Sequence, residues 1–264
     1  MKRIMLTVAY DGTQYHGWQI QPNVVTIESV LNDALSELLK EDIHVIGASR
    51  TDTGVHALGN IAVFDTEARM PGNKISYALN QRLPQDIRIQ DSREVSPDFH
   101  PRHCNSRKTY EYKILNREFP LPTQRLYAHF TYVPLDVEKM QEAANYLIGE
   151  HDFKSFCSVN TVAETTVRTL YSVTVSKAGD MITIRVTGSG FLYNMVRIIA
   201  GTLMEVGRGN LEPEQIPQIL SALDRQKAGP TAPACGLTLY AYEFENNYFL
   251  SKKSTENLDT CGLV

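Results

Sequence analysis

Residues 4 to 10, Ile4-Met5-Leu6-Thr7-Val8-Ala9-Tyr10, are dense in β-formers, and Asp11-Gly12 follows as a turn signal; a first strand is predicted there. From Thr26 the period changes. Ile27, Val30, Leu31, Ala34, Leu35, Leu38 and Leu39 fall on one helical stripe that Thr26 is placed to cap. Residues 43–48 and 60–64 read as strands, Pro71 opens a helix running to about Leu83, and 86–95 reads as a strand. The order is β-α-β-β-α-β. The second half repeats it: a strand over 109–115, a helix over 136–148 stopped by Gly149, and strands over 169–176 and 181–187 around a Gly179-Asp180 turn. An apolar helix over 191–206 with Gly207 as its stop, a short helix over 213–223 and a strand over 237–244 complete it. The class predicted is α+β, two ferredoxin-like halves over 1–105 and 106–245 with a disordered tail over 246–264. A shared site belongs in the groove where the halves meet.

Composition narrows the classes. Of 264 residues, 42% are hydrophobic and 21% charged, enough to build a sizeable core. No stretch approaches the roughly 18 apolar residues of a membrane span, and residues 1–10 do not read as a signal peptide. The four cysteines, Cys104, Cys157, Cys235 and Cys261, are scattered without a C-x-x-C pair, which predicts neither a zinc ribbon nor a disulfide framework and fits a reducing cytoplasm. The net charge of −4 argues against nucleic acid, but its distribution argues the other way. Between Phe99 and Arg117, the cations Arg102, Arg107, Lys108, Lys113 and Arg117 face a single acid, Glu111. Such a strip reads either as a phosphate-binding surface or as a solvated strand edge.

Candidate chemistry begins at Ser49-Arg50-Thr51-Asp52-Thr53-Gly54-Val55-His56, which follows a predicted strand. The same residues would also make an Asx-turn, with Asp52 capping its own backbone and Gly54 at positive φ. Asp52-Thr53-Gly54 matches the D-T-G of aspartic proteases, yet those need two carboxylates and one such tripeptide occurs here. Arg197 stands in a helix apolar nearly all round. It must snorkel or meet an anion distant in sequence, with Asp52 a candidate. Thr187-Gly188-Ser189-Gly190 ahead of that helix reads as a plain turn, with only a weak phosphate-loop signal. His100, His103 and Cys104 offer soft ligands with no second pair at metal spacing, so no metal is predicted.

Ala48-Ser49-Arg50-Thr51-Asp52-Thr53-Gly54-Val55-His56-Ala57 resembles the R-T-D-x-G-V-H-A signature of TruA-type pseudouridine synthases. Further segments resemble that family in order: Tyr10-Asp11-Gly12 with Tyr15 to Gln19, Arg107 to Tyr112, His151 to Phe156, Phe191 to Arg197, and Pro233 to Leu237. The likeness spans about Met1 to Phe244 and departs at Cys157, where many relatives carry Arg. It implies pseudo-symmetric halves sharing one extended, mainly antiparallel sheet with helices on one face and a positive RNA-binding cleft. It also implies a homodimer acting without cofactor on uridines thirty-eight to forty of the tRNA anticodon stem-loop. By the same resemblance, Asp52 is the nucleophile and Tyr110 contacts the target base and is a candidate acceptor for its C5 proton. Arg197 pairs with Asp52, Arg50 helps extrude the nucleotide, and Arg107, Lys108 and Leu237 bind substrate. A plain RNA-binding module of the same strand order is the competing class, and the two differ at Asp52.

Overall fold

The computed structural model describes residues 1–159 and 163–244; the tail predicted from Asn246, with Cys261, lies outside the described residues. The first half consists of β1 (Lys2–Tyr10), α1 (Ile27–Leu39), β2 (Ile46–Gly47), β3 (His56–Thr66), α2 (Gly72–Leu79) and β4 (Ile87–Val95). The second runs through β5 (Ser106–Asn116), β6 (His129–Thr131), α3 (Val137–Asn145), β7 (Gly149–Asp152), β8 (Val167–Ala178) and β9 (Met181–Gly188). It ends with α4 (Met195–Gly207), α5 (Ile216–Ala222) and β10 (Leu237–Phe244). The ten strands form one sheet in the order β4-β1-β3-β10-β5-β9-β8-β7, with β2 beside β3 and β6 beside β5. Pairing is antiparallel except at β5–β6 and at the seam, where β10 runs parallel to β3 through His56↔Thr238 and Ala57↔Leu239.

The second half shows the ferredoxin-like order, its fourth, first, third and second strands lying as β10-β5-β9-β8. In the first half the second strand has shrunk to the two residues of β2, leaving part of the edge of β3 for β10. Hydrogen bonding explains the shrinkage. Ile43 N donates to Ser36 Oγ and Val45 N to Asn32 Oδ1, so α1 takes the amides that a strand over 43–48 would have used.

One apolar core runs under both halves. Ile4, Leu6, Val8 and Tyr10 of β1 join Tyr112 and Ile114 of β5, Ile182, Ile184 and Val186 of β9, and the inner stripes of α1 to α4. Period-two alternation thus gives α1 to α4 the same sheet face. Ile27, Leu31 and Leu35 of α1 are fully buried, each worth about 1.5–3 kcal/mol relative to exposure. A smaller cluster of Met5, Ile61, Val63, Val95 and Phe99 covers the opposite face of the first half.

Several boundaries differ from the pattern-based ones. Thr26 caps α1 as predicted, accepting from Ser29 N. Helix α2 stops at Leu79 because the Asn80 amide exchanges two hydrogen bonds with Ile89, fastening the chain to β4. Gly149 starts β7 at φ +112 instead of merely ending α3, and neither β6 nor β7 was foreseen. Helix α4 begins at Met195, four residues later than predicted, because Asn194 takes a left-handed conformation at φ 60. Strand β5 lies between β10 and β9 and is no edge, so its basic residues are not edge protection.

Candidate active site

At the seam the sheet opens into a cleft of about 600 Å³. Its walls are the 48–55 loop, His16 and Gln19, Arg102, Lys108 and Tyr110 of β5, Arg168 of β8, residues 191–196 at the start of α4, and Leu237. The loop is locked before any ligand arrives. Trp18 N donates to Thr51 O, Gly54 N to Tyr15 O, and the Tyr10 and Thr51 hydroxyls share a 2.7 Å hydrogen bond. Asn60 spans the loop base, accepting from Ser49 N and donating to Ser49 O. Gly17, at φ +83, lies so close beneath that a Cβ there would sit 2.6 Å from Thr51 O.

Half of the Asx-turn expectation holds. Val55 N closes a turn onto Asp52 O, and Gly54 takes φ +76. The Asp52 carboxylate does not cap this turn; its Oδ2 lies 3.6 Å from Arg197 NH1, with the side chains 22% and 18% exposed. Burial pushes the Asp52 carboxyl above its usual range, and the Arg197 charge opposes that shift. Arg197 is itself held by neutral acceptors, its Nε donating to Ala232 O at 2.7 Å and its NH1 to Asn194 Oδ1 at 2.8 Å.

Tyr110 is 7% exposed and meets Phe191 edge-on at 5.1 Å. Burial, then coupling to the Tyr10 hydroxyl and to the Asp52 carboxylate, push its hydroxyl well up, so it is a phenol at neutral pH. Lys108, two residues earlier on the same face, is half-buried with its Nζ 5.2 Å from the Tyr242 ring centroid. Burial lowers it to about 8, with Arg102 and Arg168 contributing. Arg102 is fixed to Gly47 O and Arg168 to Thr165 O and Val167 O, while Arg50 reaches out exposed. Among the described residues lining the cleft, four cations (Arg50, Arg102, Lys108 and Arg168) face one carboxylate, Asp52. Such a surface suits a polyanion and leaves one acid free for chemistry.

Other sequence candidates lie elsewhere. Arg107 has the opposite strand parity to Lys108 and stacks over Tyr171 at 4.7 Å, outside the cleft lining. His56 is a clamp: its Nδ1 accepts from Gly12 N and its Nε2 donates to Leu126 O, joining the two halves. No second carboxylate lines the cleft among the described residues, so the proteolytic dyad is not assembled. Gly188 ends β9, several residues before α4, so 188–190 form a connection and do not present a helix N-terminus to a phosphate. His100 and His103 stack on each other at 4.0 Å, and no group of three metal-ligating side chains occurs among the described residues.

Arg168 and Asn194 carried no individual signal in the sequence. They reach the cleft only because β8 pairs with β9 and because the chain turns left-handed before α4. No helix among the described residues is long and apolar enough to cross a membrane.

The family model described as tRNA pseudouridine synthase matches residues 6–103 and 143–245. The chain is similar to tRNA pseudouridine synthase A of Thermoanaerobacter sp. (strain X514), 48% identical over 90% of this chain and 98% of the relative. It is also similar to the proteins of that name from Ruminiclostridium cellulolyticum, at 50% identity over 90% of this chain and 98% of the relative, and Brevibacillus brevis, at 48% over 91% and 98%.

Proposed function

Because this chain belongs to the tRNA pseudouridine synthase family, we propose that it isomerises uridine to pseudouridine at positions thirty-eight to forty of the tRNA anticodon stem-loop, with Asp52 as nucleophile. The observation that carries this reading is the lone Asp52 carboxylate in a cation-lined cleft, faced by Arg197 at 3.6 Å. The reaction breaks N1–C1′, forms C5–C1′, releases the C5 proton and protonates N1, so atoms balance without a redox partner or donor. What it needs is an anion at the sugar or base, a binding site for the flipped nucleotide and room for the uracil to turn.

Asp52 is the anion. Partial burial makes it a stronger base and nucleophile than a solvated carboxylate, and the Arg197 charge opposes the rise in its pKa, favouring the ionised form. Tyr110 and Leu237 contact the uracil, Tyr110 acting as a phenol. It takes the C5 proton only in a relay in which its own proton moves on. Flipping costs a few kcal/mol, and Arg50 fills the vacated place in the stem. Lys108, with Arg102 and Arg168, holds the RNA backbone, and Arg107 touches RNA outside the cleft beside Tyr171. We place the boundary between the two halves at 105/106, and assign the protein to the cytoplasm as a homodimer.

A tRNA transcript carrying tritium at C5 of its anticodon-stem uridines tests the reading. Wild-type protein releases tritium to water and Asp52→Asn does not, while both retain the tRNA. Release by Asp52→Asn would remove Asp52 from the chemistry. Label released from another arm would relocate the substrate site.

A further inference from the structure

Arg197 is pulled two ways. Its NH1 donates to Asn194 Oδ1 at 2.8 Å, and lies 3.6 Å from Asp52 Oδ2, beyond hydrogen-bond range. A charged acceptor ordinarily outcompetes a neutral amide. The neutral partner has the shorter contact here because it is held in place. Asn194 sits at φ 60 immediately before α4 and gives the helix no side-chain cap, although Asn is among the best capping residues. Its amide is used instead as a bridge. Nδ2 donates to Ser158 Oγ at 2.8 Å, and Ser158 N donates back to Tyr193 O, so Ser158 grips the turn twice. On its other side Arg197 Nε is tied to Ala232 O, whose own residue donates its N–H to Arg197 O.

We propose that Asn194, anchored by Ser158, is a positioning residue that holds the Arg197 guanidinium at a stand-off from Asp52. The inference rests on the reading of Asp52 as nucleophile. At this distance Arg197 supplies charge without occupying the carboxylate lone pair that must reach the substrate. Without the amide, NH1 has one strong acceptor left in reach, and the guanidinium closes on Asp52. The carboxylate is then better stabilised and less reactive.

Asn194→Gly is the test, because glycine keeps the left-handed backbone and removes only the amide. Around Asp52, the other titratable groups lining the cleft are His16, Arg50, Arg102, Lys108, Tyr110, Arg168 and Tyr193, all of which the variant retains. Tritium release is followed against pH alongside a carbon NMR titration of the Asp52 carboxyl. Asn194→Gly is expected to lose about tenfold or more in kcat, with KM little changed, as small displacements at a reacting group do. Its acid limb and the Asp52 titration both move to lower pH. Ser158→Ala gives a smaller shift in the same direction, and Ser158→Thr returns toward wild type. An unmoved limb with only a lowered melting temperature would make Asn194 a structural residue and overturn the proposal. A limb displaced upward would show that Asn194 draws the pair together, and would also overturn it. If wild-type protein released no tritium, the proposed function itself would have failed, while the NMR titration would still report on the stand-off.

Discussion

The 48–55 loop of the first half and the Gly179-Asp180 turn of the second join corresponding strands of the pseudo-symmetric order, and they do opposite things. In the second half β8 and β9 pair through to Ala178↔Met181, and a tight turn with Gly179 at φ +58 returns the chain. In the first half the hairpin is given up. β2 keeps two residues, the loop extends from Ala48 to Val55, and β10 pairs with the part of β3 thus exposed. The site is correspondingly asymmetric: both halves supply cations, Arg50 and Arg102 from the first and Lys108, Arg168 and Arg197 from the second, but only the first supplies the anion, Asp52. A repeated fold can surrender local pairing in one copy when the other copy covers the opened edge.

The sharpest test removes the anion alone. Asp52→Asn is expected to cost on the order of a thousandfold or more in turnover, as loss of a catalytic carboxylate does elsewhere. It should not cost stability. Because the folded-state pKa of Asp52 is raised, its ionisation opposes folding as pH rises from the ordinary carboxylate range through the folded value. The variant, lacking that charge, should melt at the same or a higher temperature at neutral pH. A lower melting point would recast Asp52 as a structural residue. Arg197→Met, on the other half, is expected to lose roughly a hundredfold. With burial unopposed, the Asp52 pKa rises further, so the acid limb of the pH–rate profile moves upward. A limb that stays in place would mean that Arg197 does not act on Asp52.

Much of this asymmetry was legible beforehand. The stripe of α1, its Thr26 cap, the β8–β9 hairpin and the bounds of β10 follow from periodicity and turn chemistry, which are local. The shortness of β2 was not, because Ser36 and Asn32 reach from α1 to take the amides of 43 and 45, an interaction no strand propensity encodes. The 48–55 segment was marked by its residues. That Asp52 faces Arg197 and not its own turn depends on how β3 and β10 meet. Strand parity could have separated Arg107 from Lys108 in advance, since neighbours on β5 face opposite sides. Nothing local marked Arg168, and Asn194 was marked only as part of the family-like segment Phe191 to Arg197; their place in the cleft is a product of tertiary structure.

Matched glycine substitutions then compare the two connections at equal backbone cost. Gly54 at φ +76 and Gly179 at φ +58 both occupy the left-handed region, where a side chain costs about 1–2 kcal/mol. Gly54→Val and Gly179→Val should therefore lower stability to a similar degree. A Cβ at Gly179 meets nothing within 4 Å, and that turn bears no site residue, so turnover should survive. At Gly54 the distortion falls two residues from Asp52, and turnover should drop about tenfold. Equal losses of activity would mean that the loop and the turn are not functionally distinct.

The smallest expected effect asks whether the second half's cations serve binding more than chemistry. Lys108, lowered to about 8 in the free protein, must be protonated to hold a phosphate, so binding tRNA favours its charged form. Affinity should fall as pH rises through that value, and the fall should flatten in Lys108→Met. The same variant should reduce the slope of log affinity against log salt by about 0.7–0.9, the contribution of one phosphate contact. Filter binding across pH and salt would show both changes, and kinetics on the same samples would show the loss in KM, with kcat little affected. A loss confined to kcat would place Lys108 with Asp52 and end the division of labour between the halves.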